Sequence, residues 1–192
     1  MTVHRRQSGV LAAAVAAAVL AVAGCAATPS AGTGGFVTGD GSITVVDPGQ
    51  RRQAPVISGT TLDGRQWSSD AAAGTVIVYN VWGSWCQPCR AEAPALQAVA
   101  EATADRAVFV GLNTRDLDPA APRAFVRAFD ITFPSLFDPD GSLLLAFAGE
   151  LPPSAIPSTL IVDAEGRIAA RVVGTTTEAT LRGLIDDIAG GT

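Results

Sequence analysis

Histidine is almost missing from this 192-residue chain: the only one is His4, near the N-terminus. The rest of the chain therefore has no His-containing metal site and no imidazole general base. Lysine is absent, so all 13 basic residues are arginines, set against 18 acids for a net charge of −5. Arg5 and Arg6 precede the first apolar run, which leaves the remainder more acidic still. Such a chain has no electrostatic footprint for nucleic acid or for an anionic membrane surface. Charged residues are sparse at 16%, while 48% of the residues are hydrophobic. That is enough to bury a core in one ordinary domain, and it excludes disorder throughout.

Cysteine is scarce as well, with Cys25, Cys86 and Cys89. Cys25 ends an export signal. His4, Arg5 and Arg6 lead into Gly9–Ala23, an unbroken run of Ala, Val, Leu and Gly. At about 15 residues the run is short for a bilayer span and right for a signal-peptide core. Val22-Ala23-Gly24-Cys25 resembles the lipobox of bacterial lipoproteins, which implies cleavage before Cys25 and lipid on its sulfur. The alternative is an uncleaved anchor helix, and both place the domain outside the cytoplasm. Ser8 and Gly9 stand where a twin-arginine signal has bulky apolar residues, so the export route stays open. The organisation expected is a lipoprotein signal peptide over 1–24, a flexible Ala/Thr/Gly/Ser/Pro linker over 25–42, and a domain over 43–192.

With Cys25 assigned to lipid, Cys86 and Cys89 remain, in Trp85-Cys86-Gln87-Pro88-Cys89-Arg90. A disulfide between positions i and i+3 closes a tiny loop and is a poor structural staple. Structural zinc needs four ligands, and neither a second CxxC nor a further histidine exists. A redox-active dithiol is what remains. Thr75–Trp82 is a nearly continuous apolar run, as for a central strand buried on both faces. Gly83-Ser84 breaks it, and residues 88–104 then read as a helix with Leu96, Val99, Ala100 and Thr103 on one face. Cys86 falls at the helix N-terminus, where the macrodipole and unpaired N–H groups favour a thiolate. Cys89, one turn inside, is better shielded and suited to resolve a mixed disulfide. Pro94 is expected to kink the helix.

The downstream pattern is α/β. Ala107–Leu112 reads as a second buried strand, and Asp118 with Pro119 as N-cap and first residue of a helix carrying Phe125, Val126 and Phe129. Phe133–Phe137 reads as extended and Leu143–Phe147 as core. Thr159–Asp163 and Arg167–Val173 flank the turn Ala164-Glu165-Gly166. Leu181, Leu184, Ile185 and Ile188 mark a last helix running from Thr177 to Gly190. Ahead of the core, Ile43–Val46 and Val56–Trp67 around Asp63-Gly64 read as an added N-terminal β-hairpin.

This order is similar to the thioredoxin fold, a central mixed β-sheet flanked by helices. Asn80-Val-Trp-Gly-Ser-Trp-Cys-Gln-Pro-Cys-Arg-Ala-Glu-Ala-Pro94, then Ile156-Pro157-Ser158-Thr159-Leu160-Ile161-Val162-Asp163 and Gly166, resemble the TlpA/ResA/CcmG family of extracytoplasmic thiol-disulfide oxidoreductases. The resemblance spans roughly residues 54–190. It implies Cys86 as attacking thiol and Cys89 as resolving thiol. It implies Pro157 as a cis-proline against the dithiol that presents the backbone of Ile156 to substrate, with Trp85 and Pro88 as further substrate contacts. It also implies a functional glutamate at Glu92; the residues alone leave open a solvated acid near a helix start. Asn80 stands where cytoplasmic thioredoxins keep a buried Asp, and an amide cannot titrate. No cofactor or metal is expected, since the Cys86–Cys89 disulfide carries the electrons.

The partners implied are exported proteins with disulfides, apocytochrome c CxxCH in cytochrome c maturation among them, and a membrane thiol-disulfide electron carrier as reductant. The protein would be anchored to the outer face of the cytoplasmic membrane. Gln87-Pro88 does not reveal the direction of electron flow, so an oxidase or isomerase of exported protein disulfides stays open. From another class, a Cu(I)-binding assembly factor would use both thiolates but usually adds a histidine and wider spacing. Gly149–Ser154, with Pro152-Pro153, enters the Pro157 turn as a candidate substrate loop. Arg115-Asp116 reads either as a partner-facing loop or as a solvated turn.

Overall fold

Six of the seven residues of Val76–Trp82 are β-branched or aromatic, the exception being Asn80, and all seven are buried, which makes this strand the centre of the sheet. The computed structural model describes residues 36–38 and 41–191. The expected signal peptide, Cys25 and most of the linker lie outside the described residues. The strands are β1 (Phe36–Thr38), β2 (Gly41–Val45), β3 (Ser58–Thr60), β4 (Gln66–Ser68), β5 (Val76–Trp82), β6 (Ala107–Thr114), β7 (Ser135–Asp138), β8 (Ser158–Val162) and β9 (Ile168–Gly174). The helices are α1 (Gln87–Ala102) between β5 and β6, α2 (Ala120–Ala128) between β6 and β7, the short α3 (Ser142–Leu145) after β7, and α4 (Glu178–Ala189) after β9.

The main sheet has the order β1-β2-β9-β8-β5-β6-β7. β6 runs parallel to β5 and β7 parallel to β6, while β8 pairs antiparallel to both β5 and β9. This is a mixed sheet with helices packed on it, the thioredoxin fold. Side chains alternate along β5 as strand geometry requires. Val76 and Val78 pack with Leu96 and Val99 of α1 and Leu181, Ile185 and Ile188 of α4. Ile77, Tyr79 and Val81 pack on the opposite face with Val110, Leu112, Leu160, Phe147 and Leu151. Because both faces are covered, β5 reads as one apolar run rather than as an alternation.

Local signals account for most element ends. Thr177 caps α4 by accepting from Thr180 N–H (3.2 Å), and the helix stops at Gly190. α2 begins one residue later than expected: Pro119 is the cap, and Asp118 instead accepts from Ala120 N–H (2.7 Å). α1 continues through Pro94, which faces solvent. Within 143–147, Leu144 and Phe147 are buried as expected, while Leu145 is exposed.

The N-terminal region departs from the expected single hairpin. Ile43–Val46 does not pair with Val56–Trp67. Instead β2 lies antiparallel to β9, with Ile43 opposite Val172, and β1 folds against β2, so both extend the main sheet. β3 and β4 form their own two-stranded sheet around Asp63-Gly64, joined to the main sheet by a bridge between Thr61 and Leu136. Within the linker expected over 25–42, residues 36–38 and 41–42 are strand. The reason is tertiary: β9 would otherwise be an open edge, and its unpaired N–H and C=O groups recruit whatever chain lies near.

Candidate active site

Trp82 ends β5 and the chain turns at Gly83. The Trp85 indole lies on Gly83 so closely that a Cβ there would stand 2.7 Å from the ring and would push the indole aside. The Cys86 N–H closes the turn on the Gly83 carbonyl (3.1 Å). Cys86 then caps α1, with its Sγ accepting from the Cys89 N–H at 3.2 Å. Pro88 follows in the first turn, where a missing N–H costs nothing. The two sulfurs are bonded to each other, with the Cα atoms 5.3 Å apart.

Both cysteines are buried in this disulfide form, at 3% and 1% exposure, so the expected contrast in shielding is small here. Leu62, Trp82, Ala93 and Phe125 pack around them. The rim is open: Trp85 is 54% exposed, and Gln87 and Pro88 face solvent. Trp82 stacks on Phe125 at 4.4 Å between ring centres, and the Arg90 guanidinium lies 5.7 Å from the Phe125 ring and 5.1 Å from that of Phe129.

The sheet register brings the second half of the site to the same end. Val81 is opposite Ser158, so Pro157 enters β8 beside the end of β5 that leads to Cys86. The Ile156–Pro157 peptide is cis, and Ile156 packs against the cluster that contains both cysteines. The Pro157 carbonyl accepts from Gly174 N–H at 3.0 Å.

Glu92 is 4% exposed, so it is not a solvated acid. One carboxyl oxygen accepts from Asn80 Nδ2 and the other from Thr176 N–H, both at 3.1 Å; Asn80 also donates to Thr159 Oγ1 at 3.4 Å. α1, β5 and the turn between β9 and α4 thus meet at this carboxyl. Burial pushes Glu92 up to about 7, against the downward pull of the Asn80 and Thr176 hydrogen bonds. A cavity of about 10 Å³ touches Asn80, Cys89 and Ser135.

At the Arg115-Asp116 turn Arg115 is exposed, but Asp116 is not solvated. Asp116 is buried, at 6% exposure, and accepts from Ser84 N–H (2.8 Å), Ser84 Oγ (2.5 Å) and Asn113 Nδ2 (2.7 Å). Arg115 takes φ +60° and donates to the Pro153 carbonyl at 2.8 Å. The two residues tie the turn before Cys86 to the loop before Pro157. Ser84 is 32 residues from Asp116 in sequence. Short-range patterning carries no signal for such a pair.

A disulfide that caps a helix, beside a cis X–Pro bond at one end of a mixed sheet, defines a thiol-disulfide oxidoreductase on a thioredoxin fold. The chain belongs to the AhpC/TSA family, whose model matches residues 51–171. Among its relatives is the thiol-disulfide oxidoreductase ResA of Bacillus cereus, 24% identical over 137 residues, which are 71% of this chain and 77% of that one. A DsbF homologue from Corynebacterium diphtheriae superposes with a TM-score of 0.73 at 34% identity, covering 81% of this chain and 99% of the other. A secreted thiol-disulfide isomerase from Corynebacterium glutamicum follows with a TM-score of 0.71 at 30% identity, covering 80% and 98%. The protein is a thiol-disulfide oxidoreductase of the ResA/DsbE type, and its relatives include secreted enzymes.

Proposed function

We propose that the protein is an extracytoplasmic, membrane-tethered reductase of disulfides in exported proteins, such as the CxxCH pair of apocytochrome c. The observation that carries this reading is the Cys86–Cys89 disulfide at the start of α1, with the buried Glu92 carboxyl one turn further along the helix. In the reduced enzyme the Cys86 thiolate attacks a substrate disulfide and one substrate sulfur leaves as thiolate. Cys89 then attacks Cys86 in the mixed disulfide, the second substrate sulfur leaves, and Cys86–Cys89 is oxidised. Cys89 must lose a proton in that step. Glu92, three residues further along the same helix, is the acceptor.

Ile156 and Pro157 present backbone to the substrate strand, and Trp85 and Pro88 line its approach. A membrane thiol-disulfide carrier returns two electrons to the disulfide, and no further cofactor is required. The N-terminal apolar run ending at Cys25 supports export and a lipid tether.

Two variants of the full chain test the mechanism against an oxidised CxxCH peptide. Cys86→Ser abolishes reduction, whereas Cys89→Ser traps the peptide as a mixed disulfide on a non-reducing gel. Wild-type turnover by Cys86→Ser refutes the scheme. Direction is read from the reduction potential: a value near or below about −250 mV makes the couple reducing in its compartment, and a value near about −120 to −180 mV makes it an oxidant or isomerase.

A further inference from the structure

The turn between β6 and α2 takes no part in the exchange described above, yet it is built around a buried acid that reaches the redox turn. Ser84, two residues before Cys86, gives both its N–H and its hydroxyl to Asp116, and Asn113 gives its amide. Three donors thus converge on this carboxyl. Building on the dithiol reading above, we propose that Asp116 is a positioning residue that tunes the Cys86–Cys89 couple toward the reductant side.

Two effects act in the same direction. A fixed negative charge bonded to the turn that carries Cys86 disfavours a second negative charge on the Cys86 sulfur. In addition, the N–H and O–H of Ser84 are engaged by Asp116 and so do not serve the thiolate. Reduction of the disulfide takes two electrons and leaves Cys86 as thiolate and Cys89 as thiol, with one proton taken up. Whatever destabilises that thiolate destabilises the reduced form, and the couple becomes the stronger reductant; a dithiol whose reduced form is stabilised is a strong oxidant. The start of α1 opposes this by favouring the thiolate, so Asp116 offsets the helix.

The other charges nearby are engaged elsewhere. Arg90 lies over Phe125 and Phe129, Arg115 bonds the Pro153 carbonyl, Asp118 accepts from Ala120 N–H, and Glu92 is held by Asn80 and Thr176.

The test is a redox titration of the full chain in dithiothreitol buffers, with the pH profile of Cys86 alkylation by iodoacetamide as second readout. Asp116→Asn shifts the equilibrium about tenfold toward oxidant, which is about 30 mV for a two-electron couple. It also moves the alkylation profile to lower pH. Ser84→Ala keeps the charge but removes one donor that compensates it, so both readouts move the opposite way. An Asp116→Asn protein that melts at lower temperature but titrates like wild type has lost only packing, and the inference is overturned. Should Asp116→Asn not fold, Ser84→Ala decides: an unchanged or more oxidising couple overturns the inference. A wild-type protein with no reversible transition in these buffers refutes the dithiol reading itself, which separates the two failures.

Discussion

Glu92 shows how one side chain depends on its surroundings. Its spacing of three from Cys89 puts it on the helix face of the resolving thiol, but only the packing of β5 and the β9–α4 turn over it removes water. In the proposed scheme Glu92 accepts the Cys89 proton and must be ionised to do so, so resolution of a mixed disulfide should speed up as pH rises through about 7. Glu92→Gln should slow that step roughly 100-fold and flatten its pH dependence. Stopped-flow release of a fluorescent thiol from the mixed disulfide between pH 5 and 9 checks both. Like Glu92, Asp116 meets its long-range partner only in the folded chain, and its part in the site comes from that pairing with Ser84.

At the scale of elements, the β8–β9 turn holds the hairpin that ends beside Pro157. Asp163 accepts from Glu165 N–H (3.1 Å) and Arg167 N–H (2.8 Å), and it pairs with Arg51, whose side chain is 3% exposed against 2% for Asp163. Burial pushes the Asp163 carboxyl up, but the hydrogen bonds and charge of Arg167, with the bond from Arg51, overcome this and hold it below the usual carboxylate range. Asp163→Ala takes the carboxylate away from the buried Arg51 guanidinium and should cost about 3–5 kcal/mol, read from urea unfolding at neutral pH. Much of this hairpin was legible in sequence, because Ala164-Glu165-Gly166 is local turn chemistry and the flanking runs have strand composition. Ile43–Val46 read as strand, but its pairing was not legible, because its partner strand β9 lies more than 120 residues away.

For the molecule as a whole, the two acids make opposite contributions to the pH dependence of stability. Folded Glu92 holds its proton more tightly than the unfolded chain does, so unfolding releases a proton between about 4.5 and 7 and stability falls as pH rises through that window. The full effect is roughly 3 kcal/mol. Asp163 is depressed on folding, so its contribution is complete above the unfolded carboxylate value and is lost as pH falls through the folded one. Stability should therefore peak in mildly acidic solution. Glu92→Gln should abolish the decline between about pH 4.5 and 7, a difference measured by denaturant titration across pH 4–9.

By itself the sequence determined the α/β order, the buried central strand, the dithiol at a helix start and the family resemblance. Each of these rests on periodicity, capping or spacing within about a dozen residues, where chain connectivity already places the groups together. Tertiary structure alone decided that Glu92 is buried with Asn80 and Thr176, that Asp116 grips Ser84, and that the N-terminal strands cover the β9 edge. Those contacts join segments far apart in sequence. Which groups lose water, and which donors an acid finds, is set only when the sheet and helices close around them.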